Sequence, residues 1–231
     1  MTDRRVTCVI PVYNGERFLG ESLDSVLAQT HRPSEIIVVD DGSTDGTPAI
    51  AERYSDEVTY TRQDRAGSAA ARNRGISMAS GEFVAFLDAD DLWHEHKLAR
   101  QLARFDARPE LGYCTTYMQN FWMDDVRDEA QRLRDSALAK PQPGTGQTLV
   151  VRRSLFVRIG PFDAAFKNRD IQEWMLRAKK QAVIGEVLPE VLVDRRIHGA
   201  NASRLRDGEE FFTIVKASLD RQKKTGTTED Q

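Results

Sequence analysis

The run Glu82-Phe-Val-Ala-Phe-Leu ends in Asp88-Ala89-Asp90-Asp91. An apolar strand-like run that closes on acids gathers negative charge at its carboxyl end, where ligands of open α/β sheets collect. Such crowding is costly unless a hard cation sits among the oxygens. Mg2+ or Mn2+ suits the place, because each takes one or two carboxylates and completes its shell with phosphate oxygens and water. Asp88 and Asp90 are therefore read as cation ligands, while Asp91 can serve there or cap a helix beginning near Leu92.

A second acidic pair, Asp40-Asp41, ends the run Ile36-Ile-Val-Val39. One of the two makes an Asx-turn before Gly42, and Asp41 is taken as the acceptor for a nucleobase or ribose donor. The first apolar run ends in Pro11-Val12-Tyr13-Asn14-Gly15, which brings free backbone groups and the Tyr13 ring to the same edge. Arg72 lies about one turn inside a helix opened by Gly67-Ser68, with Asp64 and Arg65 just before it. A helix start favours phosphate, and a guanidinium fork reaches a diphosphate or a base carbonyl.

These residues need a scaffold that aligns strand ends. The first ninety positions alternate β-branched runs with helical patterns, which predicts an α/β fold with a parallel sheet flanked by helices. Strands are expected at Val6–Val12, Glu35–Asp40, near Val58–Arg62 and at Glu82–Asp88. The helix between the first two carries apolar residues at Phe18, Leu19, Leu23, Val26 and Leu27 and stops at His31-Arg-Pro33. Thr47 is read as the cap of the next helix, with Pro48 in its first position. Further helices are expected from Gly67 and from about His94 to Arg108.

The second half is less regular. Asp124 to Lys140 is charged and weakly periodic, either a surface helix or a mobile segment, and Pro141 to Gly146 reads as a loop at the functional seam. A strand (Thr148–Val151), a helix (Ser154–Ile159), a helix across Trp174–Ala178, a strand pair from Val183 to Arg196 and an amphipathic helix from about Asp207 follow. Residues 224–231 read as a disordered tail.

The chain has 231 residues, 40% of them hydrophobic, and a net charge of −3, which leaves no electrostatic footprint for nucleic acid. Its two cysteines, Cys8 and Cys114, suit buried reduced thiols rather than a disulfide framework. No apolar run reaches the length of a signal peptide core or a membrane span, so a cytoplasmic location is expected, with any membrane contact peripheral. In that setting the sequon Asn201-Ala-Ser203 is inert.

Taken together, Val9-Ile-Pro-Val-Tyr-Asn-Gly15, Ile37-Val-Val-Asp-Asp-Gly-Ser-Thr-Asp-Gly46, Ala66-Gly-Ser-Ala-Ala-Ala-Arg-Asn-Arg-Gly75 and Phe86-Leu-Asp-Ala-Asp-Asp91 resemble the family 2 glycosyltransferases of the GT-A fold, in order and spacing over about the first hundred residues. The resemblance implies inverting, metal-dependent transfer from a nucleoside-diphosphate sugar to an acceptor hydroxyl, with a uridine- or thymidine-type base against Asp41. It places the donor around Pro11, Val12, Tyr13, Asp41, Asp64, Arg72, Asp88 and Ala89, and Mg2+ or Mn2+ on Asp88 and Asp90. In the family a second-half acid is the general base. The matching stretch runs Lys167-Asn-Arg-Asp170-Ile-Gln-Glu173-Trp174, which makes Asp170 the base and Glu173 the runner-up; Arg169 stands where the family has Glu. A late segment, Arg195-Arg-Ile-His198, brings His198 to the metal or the diphosphate by the same resemblance. Residues 1–108 then form the donor half and 109–223 the acceptor and catalytic-base half. The acceptor is a glycan, a lipid-linked sugar, a natural product or a peptide. Two rivals remain: a nucleotide-sugar-binding subunit without catalysis, and a sugar-phosphate nucleotidyltransferase, whose Gly-rich, Arg-containing first loop is missing here.

Overall fold

A computed structural model describes residues 4–166 and 169–201. Residues up to His198 form one compact unit, and those from Gly199 onward belong to a second, of which Gly199–Asn201 are described. In chain order the elements are β1 (Val6–Val12), α1 (Leu19–Leu27), β2 (Glu35–Asp40), α2 (Thr47–Glu52), β3 (Thr59–Arg62), α3 (Ser68–Met78), β4 (Phe83–Phe86), β5 (Leu92–Trp93), α4 (Lys97–Ala107), β6 (Leu111–Trp122), α5 (Arg127–Leu133), β7 (Gln142–Pro143), β8 (Val150–Arg152), α6 (Ser154–Ile159), α7 (Asp170–Lys180) and β9 (Ile184–Ile197).

One sheet runs β3-β2-β1-β4-β8-β6-β9-β5, with β7 on β6. Strands β1 to β4 are mutually parallel, β8 is antiparallel to β4 and β6, and β9 is parallel to β6. β1 is buried at every position, as a parallel strand covered on both faces must be. Period-2 alternation sorts its side chains: Cys8 and Ile10 pack with Leu19, Leu23, Leu98 and Phe105 on one face, while Val9 packs with Phe86, Phe156 and Trp174 on the other. The carboxyl ends of β1, β2 and β4 therefore meet at one edge.

Three local expectations change. No helix starts at Leu92, since Leu92–Trp93 pairs with Val193–Asp194 as β5 and α4 begins only at Lys97. Thr47 does not cap α2; its N–H donates to Asp45 Oδ1 at 3.0 Å, and its hydroxyl accepts from Gly15 N at 2.8 Å. The expected strand pair after Val183 is a single strand, β9, whose pairing jumps from Leu188 to Val191. The bulge there takes Pro189, which has no N–H for a ladder. Between Asp124 and Lys140 the chain forms α5 and short 3-10 turns, so the surface-helix alternative holds. The helix expected from Asp207, the tail and Ser203 lie outside the described residues. Among the described residues no helix is long and apolar enough to cross a membrane.

Under α4 sits a fully buried lysine. Lys97 Nζ donates to Gln101 Oε1 at 2.8 Å and lies 4.0 Å from the Trp93 ring, and burial lowers its pKa from 10.5 to about 7. The unfolded chain thus binds a proton that the fold releases between those values, so stability rises with pH above about 7. The buried thiols of Cys8 and Cys114 act oppositely: burial raises them from 9.0 to about 12 and about 11, and their contribution is lost as pH climbs past 9.0. Urea unfolding free energy should therefore climb from pH 7 to 9, by at most ~1.4 kcal/mol per pH unit, and then fall. In Lys97→Met the climb should vanish; a climb that persists would assign it to another group and overturn the role of Lys97.

Candidate active site

The first two loops at the sheet edge lock each other. Asn14 adopts a left-handed φ of 52°, donates from its N–H to Ser43 Oγ at 2.9 Å and accepts the Thr44 N–H on Oδ1 at 2.8 Å. An added Cβ at Gly15 would stand 2.4 Å from Val12 Cγ2, so a larger residue would push the Val12 side chain aside. Pro11 and Val12 are buried, and Val12 O accepts the Asp41 N–H at 2.8 Å. The exposed Tyr13 ring carries the Arg65 guanidinium 3.5 Å above its centroid.

The paired acids of β2 divide their work. Asp40 Oδ1 takes the Ser43 N–H at 2.7 Å, which is the Asx-turn, and Oδ2 takes the Tyr60 hydroxyl at 2.6 Å. Asp41 is buried and accepts Gln63 Nε2 and Ala66 N on Oδ1, both at 2.8 Å, and Gly67 N on Oδ2 at 2.7 Å. It thereby gathers the loop from Gln63 to Gly67 around itself. A carboxylate offers about four acceptor positions, so Asp41 keeps capacity for one further donor. Asp64 is exposed on that loop.

At the end of β4 the chain builds two linked clusters. In one, Arg72 spans two acids: Nη1 donates to Asp170 Oδ2 at 2.9 Å and Nη2 to Asp88 Oδ1 at 2.7 Å. Burial opposes the Arg72 charge, but Asp170 and Asp88 more than offset it and hold its pKa above the ordinary value. Burial raises the Asp170 pKa, and Arg72 opposes that rise without cancelling it. In the other cluster His198 Nε2 lies 3.1 Å from Asp90 Oδ2, with its ring centroid 4.6 Å from that of Phe18. Ala89 O accepts the Ser22 hydroxyl at 2.8 Å, which ties this turn to α1.

Asp91 neither caps a helix nor faces the open edge. Its Oδ1 accepts the Arg196 N–H at 2.9 Å, and its pKa lies well above the ordinary value through burial, then through the charges of Asp90 and Asp88. Arg196 was not singled out from sequence, yet it anchors this turn: Nε donates to Asp90 O at 2.9 Å, Nη2 pairs with Glu21 Oε2 at 2.6 Å, and the guanidinium lies 4.5 Å from the Phe18 ring. The signal was present in the spacing, since Arg196 lies two positions before His198 at the end of β9. Glu173, the runner-up base, is instead bound by Arg177 Nε at 2.9 Å, and that arginine also donates to Ile159 O and Pro161 O. Trp174 is core, fully buried with Nε1 on Gly160 O at 3.0 Å.

Among the described residues no three His, Cys, Asp or Glu side chains could hold a metal by themselves. Asp88 and Asp90 nonetheless keep about a third of their side-chain surface open, at 35% and 31%, with the His198 imidazole beside Asp90. That sparse donor set fits Mg2+ or Mn2+, which relies on substrate phosphate and water for the remaining positions.

Comparison with known proteins places this architecture. Residues 7–171 match the profile of glycosyl transferase family 2. An uncharacterized glycosyltransferase of Rickettsia typhi is 32% identical over 228 residues, covering 93% of this chain and 71% of its own. The putative teichuronic acid biosynthesis glycosyltransferase TuaG of Bacillus subtilis is 43% identical over 102 residues, 42% of this chain and 40% of its own. S. aureus TarS in complex with UDP-GlcNAc superposes with a TM-score of 0.73 at 22% identity, over 91% of this chain and 64% of that one. Mannosyltransferase PcManGT from Pyrobaculum calidifontis, in complex with GDP-Man and Mn2+, gives 0.69 at 24% identity, over 93% of this chain and 69% of that one. The class is thus a GT-A type α/β fold, the architecture of these neighbours. Within it, the chain belongs to glycosyl transferase family 2.

Proposed function

We propose that this glycosyltransferase moves a hexose, with inversion, from a UDP- or TDP-type sugar to an acceptor hydroxyl, with a divalent cation at Asp88 and Asp90. The observation that carries the reading is the convergence, at one sheet edge, of the open carboxylates Asp88 and Asp90 with the buried acid Asp170. The neighbours' UDP-GlcNAc and GDP-Man support a nucleotide-sugar donor, and the Mn2+ of one supports the cation.

In this reading the base and ribose lie along Pro11, Val12, Tyr13, Asp41 and the exposed Asp64, and the diphosphate lies over Asp88, Ala89 and His198. Asp170, its proton affinity raised by burial, takes the proton of the acceptor hydroxyl as that oxygen attacks the anomeric carbon. His198 donates toward the departing diphosphate. A bound cation would supply positive charge against the phosphate oxygens. Arg177 holds Glu173 away from this role.

Calorimetric titration with UDP, TDP and GDP, each with and without Mn2+, tests the donor half without an acceptor. One nucleotide should bind in a cation-dependent way, and Asp90→Ala should weaken that binding at least about tenfold, as expected for loss of a direct or supporting metal contact. Absence of binding for all three nucleotides would sink the reading; unchanged affinity in Asp90→Ala would remove the cation from Asp90.

A further inference from the structure

Among the described residues Arg72 joins the donor-side acid Asp88 to the proposed base Asp170, and burial keeps its guanidinium off the open edge. Its side chain is 8% exposed, each terminal nitrogen is committed to a carboxylate, and its Nε is buried without a hydrogen-bond partner among the described residues. A guanidinium that binds a ligand diphosphate turns an open edge toward it; this one is walled in. The backbone at Gly146 passes so close that an added Cβ would stand 2.7 Å from Ile171 Cδ1 and 3.9 Å from Arg72 Nη2.

We propose that Arg72 is a positioning residue rather than a donor ligand: it clamps Asp170 Oδ2 and Asp88 Oδ1 in one fork and so fixes the base relative to the donor edge. The fork geometry is what matters. A planar guanidinium can hold two carboxylates at a set spacing, whereas an ammonium is a point charge that follows one of them. With Oδ2 held, Oδ1 of Asp170 is the oxygen left to receive the acceptor proton. A shift of about 1 Å in that oxygen is enough to cost about 100-fold in rate.

This inference rests on the proposed function, and the test separates the two. With the nucleotide that binds best, the affinity of Arg72→Gln and Arg72→Lys is measured by calorimetry, and turnover as hydrolysis of the matching nucleotide-sugar by water. Nucleotide affinity should stay within about threefold while turnover falls about 100-fold, the pattern of a contact that matters only in the transition state. In an Asp170→Asn background, adding Arg72→Gln should cost less than about threefold more, since residues acting as a unit are not additive. If Arg72→Gln fails to fold, Arg72→Lys keeps the charge and carries the same test, with the same split between affinity and turnover. Affinity lost in step with turnover would make Arg72 a donor ligand and overturn the inference while leaving the function intact. Losses that multiply in the double variant would overturn it too. Wild-type protein that binds no nucleotide would remove the function, and the inference with it.

Discussion

Asp170→Asn should stop sugar transfer while the nucleotide still binds. General-base removal costs 10²- to 10⁴-fold in comparable chemistry, and here about 10³-fold is expected in turnover with nucleotide affinity within about threefold of wild type. The reason lies in the burial of Asp170 at the first turn of α7, 3% exposed and bonded to Arg72 at 2.9 Å. Asparagine has the same shape and can still accept from Arg72, so the fold should survive, but an amide cannot take a proton from an attacking hydroxyl. Turnover with nucleotide-sugar and calorimetry with nucleotide, on the same preparation, check the two halves. Turnover within tenfold of wild type would be fatal to Asp170 as the base. Because burial raises the Asp170 pKa, the wild-type rate should also fall on the acid side at a pH above the usual carboxylate range, as the base becomes protonated.

The largest effect on stability is expected from Trp174→Ala, a loss of about 3–5 kcal/mol by urea unfolding, the range for truncating a buried tryptophan or phenylalanine. Trp174 is fully buried among Phe156, Phe162 and Tyr113, with ring centroids 5.1, 6.1 and 6.3 Å away, and its indole N–H is satisfied by Gly160 O. The same contacts seat α7, whose first residue is Asp170, against the sheet. The conservative Trp174→Phe should keep KM for the donor near wild type, because the fully buried ring packs against other aromatic side chains. A loss below about 1 kcal/mol in Trp174→Ala would contradict this packing role.

The parallel half of the fold was legible because its cues are local. Apolar runs that end in Asp40-Asp41 or Asp88-Ala89-Asp90 announce both the strand and the ligand edge within a window of ten residues, and β1, β2 and β4 fall where the runs fall. The second half was harder for a physical reason. β6 is a twelve-residue strand of mixed Tyr, Thr, Gln and Asn, paired on both sides and interrupted by register shifts, so neither a period of 2 nor an apolar block marks it. β9 contains Gly185 and Pro189, which read as a break in any local window, and its bulged pairing with β6 carries the strand through.

The sequence by itself determined which carboxylates end the strands, and its resemblance to the family pointed to Asp170 and His198 in the second half. Tertiary structure decided what each one touches. Arg72 meets Asp170 across 98 positions and His198 meets Asp90 across 108. Asp91 turns inward to the Arg196 backbone, and Glu173 goes to Arg177. A side chain's type and its strand or helix phase are fixed by neighbours in sequence, but which charge compensates which depends on how distant elements register in the sheet, and that balance sets which acid is left with a raised affinity for a proton.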